Sequence, residues 1–231
     1  MKNSLFFKIL SVVTLVICSY KTSAQNIQLH YDMERNYYTS TIEMFRPDAG
    51  GSTFYFVDMD YNPRVSSAYW EISREICYWQ DTDLSWLSAH IEYNGGLSSG
   101  FGSYNNAWLA GATYSGHSAD YSKTWSATAS YKATPGATSS NGAKQPHGFQ
   151  ITAVWNLAFF NRWISFDGFI DYLYEGSKLI FMSEPQLWLN LQNIKGWEKV
   201  NLSLGSEVEI SSNFYGPGMQ IMPTVAAKWT F

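Results

Sequence analysis

The chain has 231 residues with 15 Lys or Arg and 19 Asp or Glu. Only 15% of residues are charged, against roughly a quarter in a soluble globular chain, yet no run of about 18 apolar residues follows the N-terminus, which excludes a bundle of membrane-spanning helices. A net charge of −4 excludes a basic nucleic-acid binder, and an aromatic content of 17% excludes a disordered chain.

The first predicted element is an address. Lys2 precedes an apolar run at 9–18 that only small hydroxyl side chains interrupt, and Thr22, Ser23 and Ala24 supply small residues before Gln25. That layout predicts a secretory signal peptide over residues 1–24. The run is too short for an anchor helix, and Val16 and Ile17 are too bulky to precede a lipidated Cys18. Cleavage removes Lys2, Lys8, Lys21 and Cys18, leaving 12 cations against 19 acids, a net charge of −7, with Cys77 as the sole cysteine. The exported chain therefore has no internal disulfide and no cysteine-based metal site.

From residue 25 onward, apolar and polar residues alternate with period two. Strands are predicted at 27–33, 38–46, 52–61, 66–79, 85–94, 104–116, 119–132, 147–158, 162–175, 178–192, 199–212 and 218–231. They form one domain, 25–231, with an even number of strands. Asp81-Thr82-Asp83, Gly116-His117-Ser118 and Phe160-Asn161 predict tight turns, and 94–103 and 133–146 predict long Gly/Ser-rich loops. Short turns at one end and longer loops at the other belong to an outer-membrane β-barrel, although the links at 61–65 and 176–177 are short as well. The loop 133–147 either caps the barrel mouth or floats free.

The last three strands alternate most cleanly. Met219, Ile221, Pro223, Val225, Ala227, Trp229 and Phe231 oppose Gln220, Met222, Thr224, Ala226, Lys228 and Thr230. Val200, Leu202, Leu204, Val208 and Ile210 oppose Asn201, Ser203, Gly205, Glu207 and Glu209; Leu179, Phe181, Leu187, Leu189 and Leu191 oppose Met182, Glu184, Gln186, Trp188 and Asn190. Such a pattern fits a sandwich core or a lipid-facing wall. Three features favour lipid. Charge is scarce. Trp79, Trp86, Trp163, Trp197 and Trp229 fall at one end of the strands, while Tyr31, Tyr61, Tyr93, Tyr104, Tyr131, Tyr172 and Tyr174 fall near the other, as in interfacial girdles. The chain ends on an alternating strand with Phe231, the type of signal that barrel-assembly machinery reads. The expected fold is all-β, a transmembrane antiparallel barrel of about 12 strands, surrounded by outer-membrane lipid. Arg74 breaks the pattern by facing lipid beside Trp70, Ile72, Ile76 and Tyr78, where an arginine near the midplane costs about 2–4 kcal/mol.

Oriented this way, the strands turn Asp32, Glu43, Asp58, Asp60, Glu71, Glu75, Glu92, Asp167, Asp171, Glu184, Glu207 and Glu209 inward, with Lys132, Lys228, His30 and His90 as the cationic or switchable partners. So acidic an interior needs water. A wet ring of acids disfavours anions and admits cations and neutral polar solutes. Phe45, Phe54, Phe56, Phe169 and Trp188 also point inward, and aromatic faces beside acceptors suit a flat polar ring carrying sugar hydroxyls. Packed together, the same rings plug the barrel.

These residues carry a resemblance. An exported twelve-stranded chain, acidic and aromatic inside and ending in Trp229-Thr230-Phe231, resembles the Tsx-type nucleoside-specific outer-membrane channels. Gly51 to Tyr61, followed by Tyr69 to Glu75, is similar to that family's early strands. Asn26-Ile-Gln-Leu-His-Tyr-Asp32 is similar to the start of an uncharacterised Bacteroidetes branch of Tsx-related barrels. The resemblance implies passive, selective diffusion of nucleosides or similar small solutes. The expected lining comprises Phe54, Phe56, Asp58, Asp60, Glu71, His90, Glu92, Asp167, Phe169, Asp171, Glu184, Trp188, Glu207, Glu209 and Lys228, with Phe54, Phe56 and Trp188 as stacking steps.

No catalytic residue, metal or cofactor is expected, and no nucleic-acid polymer. Asp58-Met-Asp60-Tyr-Asn62 begins like a calcium loop but lacks its central glycine and distant glutamate. His90 and Glu92 share a strand face, but no G-x-S-x-G accompanies them. The alternatives are a plugged barrel used for adhesion or structure, and a barrel enzyme of lipase or protease type.

Overall fold

A computed structural model describes residues 24–100, 102–104 and 106–231. The expected signal peptide, up to residue 23, lies outside the described residues. Branched and aromatic residues alternating with small polar ones make strands of nearly all the rest. These are β1 (Ala24–Asp32), β2 (Tyr37–Asp48), β3 (Gly51–Tyr61), β4 (Val65–Ile76), β5 (Leu87–Ser98), β6 (Gly102–Ser103) and β7 (Ala107–His117). They continue as β8 (Lys123–Ala133), β9 (His147–Phe159), β10 (Ile164–Glu175), β11 (Lys178–Ser183), β12 (Gln186–Asn190), β13 (Leu202–Ser212) and β14 (Met219–Thr230). No helix among the described residues is long and apolar enough to cross a membrane.

Every pairing is antiparallel. β1 pairs with β14 from Asn26↔Thr230 to Asp32↔Thr224, and β9 with β10 from Phe159↔Ile164 to Phe149↔Tyr174, so the sheet closes on itself. Closure removes the unpaired edges that make open sheets associate. β6 pairs only with β5 as a short return. β11 and β12 share one slot between β10 and β13, which leaves a wall of twelve strands. The slot breaks at Glu184-Pro185 because Pro185 has no N–H for the ladder. Opposite it, Gly168 has φ +148°, and a Cβ there would sit 2.6 Å from the Glu184 carbonyl oxygen.

The barrel is polar inside. On β1, Gln28 and Asp32 are each 1% exposed, whereas Ile27 and Leu29 are 42% and 49% exposed. β14 repeats this, with Met222 and Thr224 buried and Ile221, Val225 and Trp229 exposed. Where no apolar core exists, backbone closure and inner hydrogen bonds replace it, and the greasy outer band needs lipid.

Several local expectations change. The strand expected at 66–79 ends at Ile76, so Arg74 lies at the rim rather than at the midplane. Its two terminal nitrogens donate to the Asp48 carboxylate at 2.6 and 2.8 Å, and one also reaches Thr53 Oγ1 at 3.1 Å. Asp81-Thr82-Asp83 is the centre of a longer connection, 77–86, built from consecutive turns that accept at the Trp79, Thr82 and Leu84 carbonyls. With 191–201 this puts long connections at the terminus end too, so the expected contrast in loop length is weak. Leu191 leaves the outer face for a 3-10 turn (Leu191–Asn193) and is buried there. The loop at 133–147 neither floats nor stands apart. It continues the β8–β9 hairpin through a Thr138↔Lys144 bridge, and Ser140 N–H donates to Ser177 Oγ in the β10–β11 turn. Within it, Thr134 and Ala137 are almost wholly buried.

Candidate functional site

All fifteen expected lining residues project to the inner face, where the antiparallel registers place them in three groups. The first occupies β2 to β4. Asp58 accepts from Thr41 Oγ1 at 2.5 Å; Asp60 accepts from Thr39 Oγ1 at 2.7 Å and Ser67 Oγ at 2.5 Å. Glu71 accepts from the Tyr69 hydroxyl at 2.6 Å. Asp58 and Asp60 accept from hydroxyls of the strands on either side, and Glu71 from a hydroxyl two residues away on its own strand. Among the described residues, none of the three lies within 4.0 Å of a Lys, Arg or His nitrogen.

Beside these acids runs a ladder of rings. Phe54 and Phe56 have centroids 6.1 Å apart, Phe56 and Tyr69 6.0 Å, and Tyr69 and Tyr104 6.2 Å. Phe45 on β2 is paired directly with Phe54 and is 43% exposed. Tyr104 was expected in the outer tyrosine girdle. Instead its N–H donates to the Gly96 carbonyl, and the ring lies inside over Gly96, where a Cβ would approach it to 2.5 Å. The lone signal of this in the sequence is Gly96, which makes the room.

The second group spans the barrel. His90 is held between two carboxylates, with Nδ1 2.6 Å from Glu75 and Nε2 3.3 Å from Glu92. Glu75 also accepts from Ser88 Oγ and, at 3.0 Å, from Thr113 Oγ1. With both ring nitrogens engaged by acids, His90 is not free to draw a proton from a hydroxyl nucleophile. Across the lumen Asp171 accepts from Thr152 Oγ1 at 2.5 Å.

The third group lines β10 to β14 and is close-packed. Trp188 is wholly buried. Its neighbours in register across the wall are Gly205 and then Ala226, so the indole lies flat over small residues. Lys228 Nζ covers the ring at 4.3 Å from its centroid and pairs with Asp167 at 3.2 Å. His30 meets the indole edge-on at 6.0 Å. No surface of Trp188 remains for a passing solute, which removes it as a stacking step. Glu207 accepts from Gln186 Nε2 at 2.5 Å, and Phe169 and Glu184 flank the bulge, where Glu184 N–H donates to the Phe169 carbonyl at 3.2 Å.

One inner cation escaped the sequence reading. Arg35, in the β1–β2 turn, lies 2.6 Å from Asp32 and 3.5 Å from Glu209, donates to the Tyr215 hydroxyl at 2.9 Å, and stacks over the Tyr37 and Tyr215 rings. A turn residue has no period-two signature, so alternation gave no hint of it. Among the described residues, no group of three or more His, Cys, Asp or Glu side chains is disposed to hold a metal ion.

Comparison with known proteins adds the following. Residues 24–231 match a family described as a domain of unknown function, DUF5020. No protein of curated function matches the chain. Among solved structures, the NanC porin superposes with a TM-score of 0.59 at 8% identity, covering 90% of this chain and 100% of that one. The outer membrane channel DcaP of Acinetobacter baumannii superposes with a TM-score of 0.41 at 11% identity, covering 85% of this chain and 63% of that one. The NanC match extends the all-β barrel fold to a known porin.

Proposed function

The chain belongs to the DUF5020 family, and for this member we propose passive diffusion of small polar, neutral or cationic solutes across the outer membrane, with nucleosides as the favoured class. The observation that carries this reading is the half-exposed ring ladder of Phe54, Phe56 and Tyr69, running beside Asp58, Asp60 and Glu71 on one wall of a closed barrel. Rings give a flat solute a face to slide along, and the carboxylates accept from its hydroxyl and amino groups. The fold of the NanC porin and the resemblance to Tsx-type channels in the early strands support the same reading. The exposed apolar outer face fits a barrel surrounded by outer-membrane lipid.

Proteoliposomes containing the purified barrel test it. Nucleosides are expected to drive swelling faster than sugars of equal size, and Phe56→Ala to narrow the difference. Equal rates for the two solute classes would remove the selectivity, and a barrel that carries no ionic current in a planar bilayer would replace the channel with a plugged structural barrel.

A further inference from the structure

The acceptors on β4, β5 and β10 are not all accounted for by the barrel itself. Glu71 on β4 stands directly opposite Asn94 on β5 in the register, and Glu92 is two residues before Asn94 on the same inner face. Asp171 faces them from β10, and the three carboxylates lie within electrostatic reach of one another. Lys132, the nearest lysine, is turned to Glu175 at 3.3 Å and Gln150 at 3.1 Å. Among the described residues, two oxygens in this cluster have no partner. Asn94 is 4% exposed and its Oδ1 accepts nothing; Glu92 Oε1 is equally buried and equally unpaired. Leaving a buried acceptor unsatisfied is costly, and more so for a charged one. Two such oxygens, one amide and one carboxylate on one strand face with two further acids beside them, call for a ligand rich in N–H donors and positive in charge.

We propose that Glu71, Glu92, Asn94 and Asp171 form a binding site within the lumen for the cationic, donor-rich end of a solute, of guanidinium or amidinium type. This rests on the channel reading and narrows its substrate class. A guanidinium presents up to five N–H donors in one plane, so it satisfies separated acceptors at once, where a bare metal ion needs ligands gathered around a point. The cluster has the first arrangement; the absence of any three-ligand metal grouping among the described residues sets aside the second. Tyr69, whose hydroxyl donates to Glu71, brings a ring beside the site, and Tyr104 packs against that ring.

The test uses the full barrel in detergent micelles and three small probes: methylguanidinium, its neutral analogue methylurea, and acetate. Calorimetric titration is expected to show saturable binding of methylguanidinium, at least tenfold tighter than methylurea, and none of acetate. Glu92→Gln, which keeps size and adds a donor, is expected to weaken methylguanidinium binding tenfold or more, and Asn94→Leu to weaken it several-fold. Glu198→Gln, outside the lumen, serves as the control. Both lining variants are first checked for the heat-dependent gel mobility of a folded barrel. Equal affinity for methylguanidinium and methylurea, or binding unchanged in Glu92→Gln, would overturn the site. A planar-bilayer measurement separates this from the channel reading: current without methylguanidinium binding removes the site alone, and binding without current removes the channel while leaving the site.

Discussion

Gly205 decides where Trp188 can lie. A Cβ at Gly205 would stand 2.2 Å from the Leu187 carbonyl oxygen and 2.5 Å from the indole. Both contacts are far inside van der Waals range, and one is to backbone that cannot retreat. Gly205→Ala is therefore expected to lower barrel stability by about 1–3 kcal/mol, the usual cost of overpacking, read as a lower midpoint of heat-induced gel mobility. An unchanged midpoint would mean that the indole has another resting place. Arg74 makes the opposite case. Its ion pair with Asp48 joins two partly exposed groups, 31% and 41% accessible, so Arg74→Gln is expected to cost no more than about 1 kcal/mol. Asp120 gives a pH dependence. The Ser118 hydroxyl first, and then the Ser122 N–H and hydroxyl, hold its carboxyl well below the ordinary aspartate value. Because the folded-state value is depressed, the turn's contribution is complete above the ordinary aspartate value and fades only as pH falls through the lower one. An NMR titration of the Asp120 carboxyl carbon is expected to show it still ionised at pH 3. Period two is a rigid rule, so the inward side of Asp58, Glu92 or Lys228 was legible from the sequence. The rule says nothing of how far a side chain leans along the wall. That is why Trp188 read as a ring open to the lumen, and why Arg35, in a turn, was not read at all.

At the scale of elements, twelve alternating segments were legible because lipid outside and carboxylates inside leave no room for an irregular face. Their ends were less so. β4 reads on past Ile76 because Cys77, Tyr78 and Trp79 continue the alternation, and the turn that leads away, closed by the hydrogen bond from Thr82 N–H to the Trp79 carbonyl, leaves no mark in that period. The split between β11 and β12 had a visible cause in Pro185, but the bulge also needs Gly168 on the neighbouring strand, a pairing that local sequence does not reveal. The 134–146 hairpin reads as a loop from its Gly, Pro and Asn content. Its anchoring comes from Thr134 Oγ1, which donates to Glu175 at 3.2 Å, and from the buried Ala137. Ala137→Glu would bury an unpaired charge there. It is expected to release the hairpin, so that Lys144 becomes a fast trypsin site while the barrel stays folded; slow cleavage in both proteins would show that the hairpin holds without Ala137.

For the whole molecule, the placing of the inner cations divides the lumen in two. Lys132 on β8 reaches Glu175 on β10, Lys228 on β14 reaches Asp167 on β10, and Arg35 reaches Glu209 on β13, each pairing with a strand that is not its neighbour. All three chords lie over the wall from β8 through β14 to β1. There Trp188, Gln28, Asp32 and Ser211 are at most 1% exposed. Among the described residues, the wall from β2 to β4 has no such chord: Asp58, Asp60 and Glu71 accept from hydroxyls, and its rings stay partly open. On the proposed channel reading, a filled half and an open half put the solute path off the barrel axis, along Phe45, Phe54, Phe56 and Asp58. Cysteine scanning reads this directly, on a background in which Cys77 is replaced by serine. Phe45→Cys and Asp58→Cys are expected to react with a charged methanethiosulfonate reagent within seconds and to lose most of the bilayer current. Gln28→Cys and Ser211→Cys, behind the chords, are expected to react at least a hundredfold more slowly and to keep it. Rapid block at Ser211 with none at Asp58 would move the path to the opposite wall, and with it the role of the ring ladder.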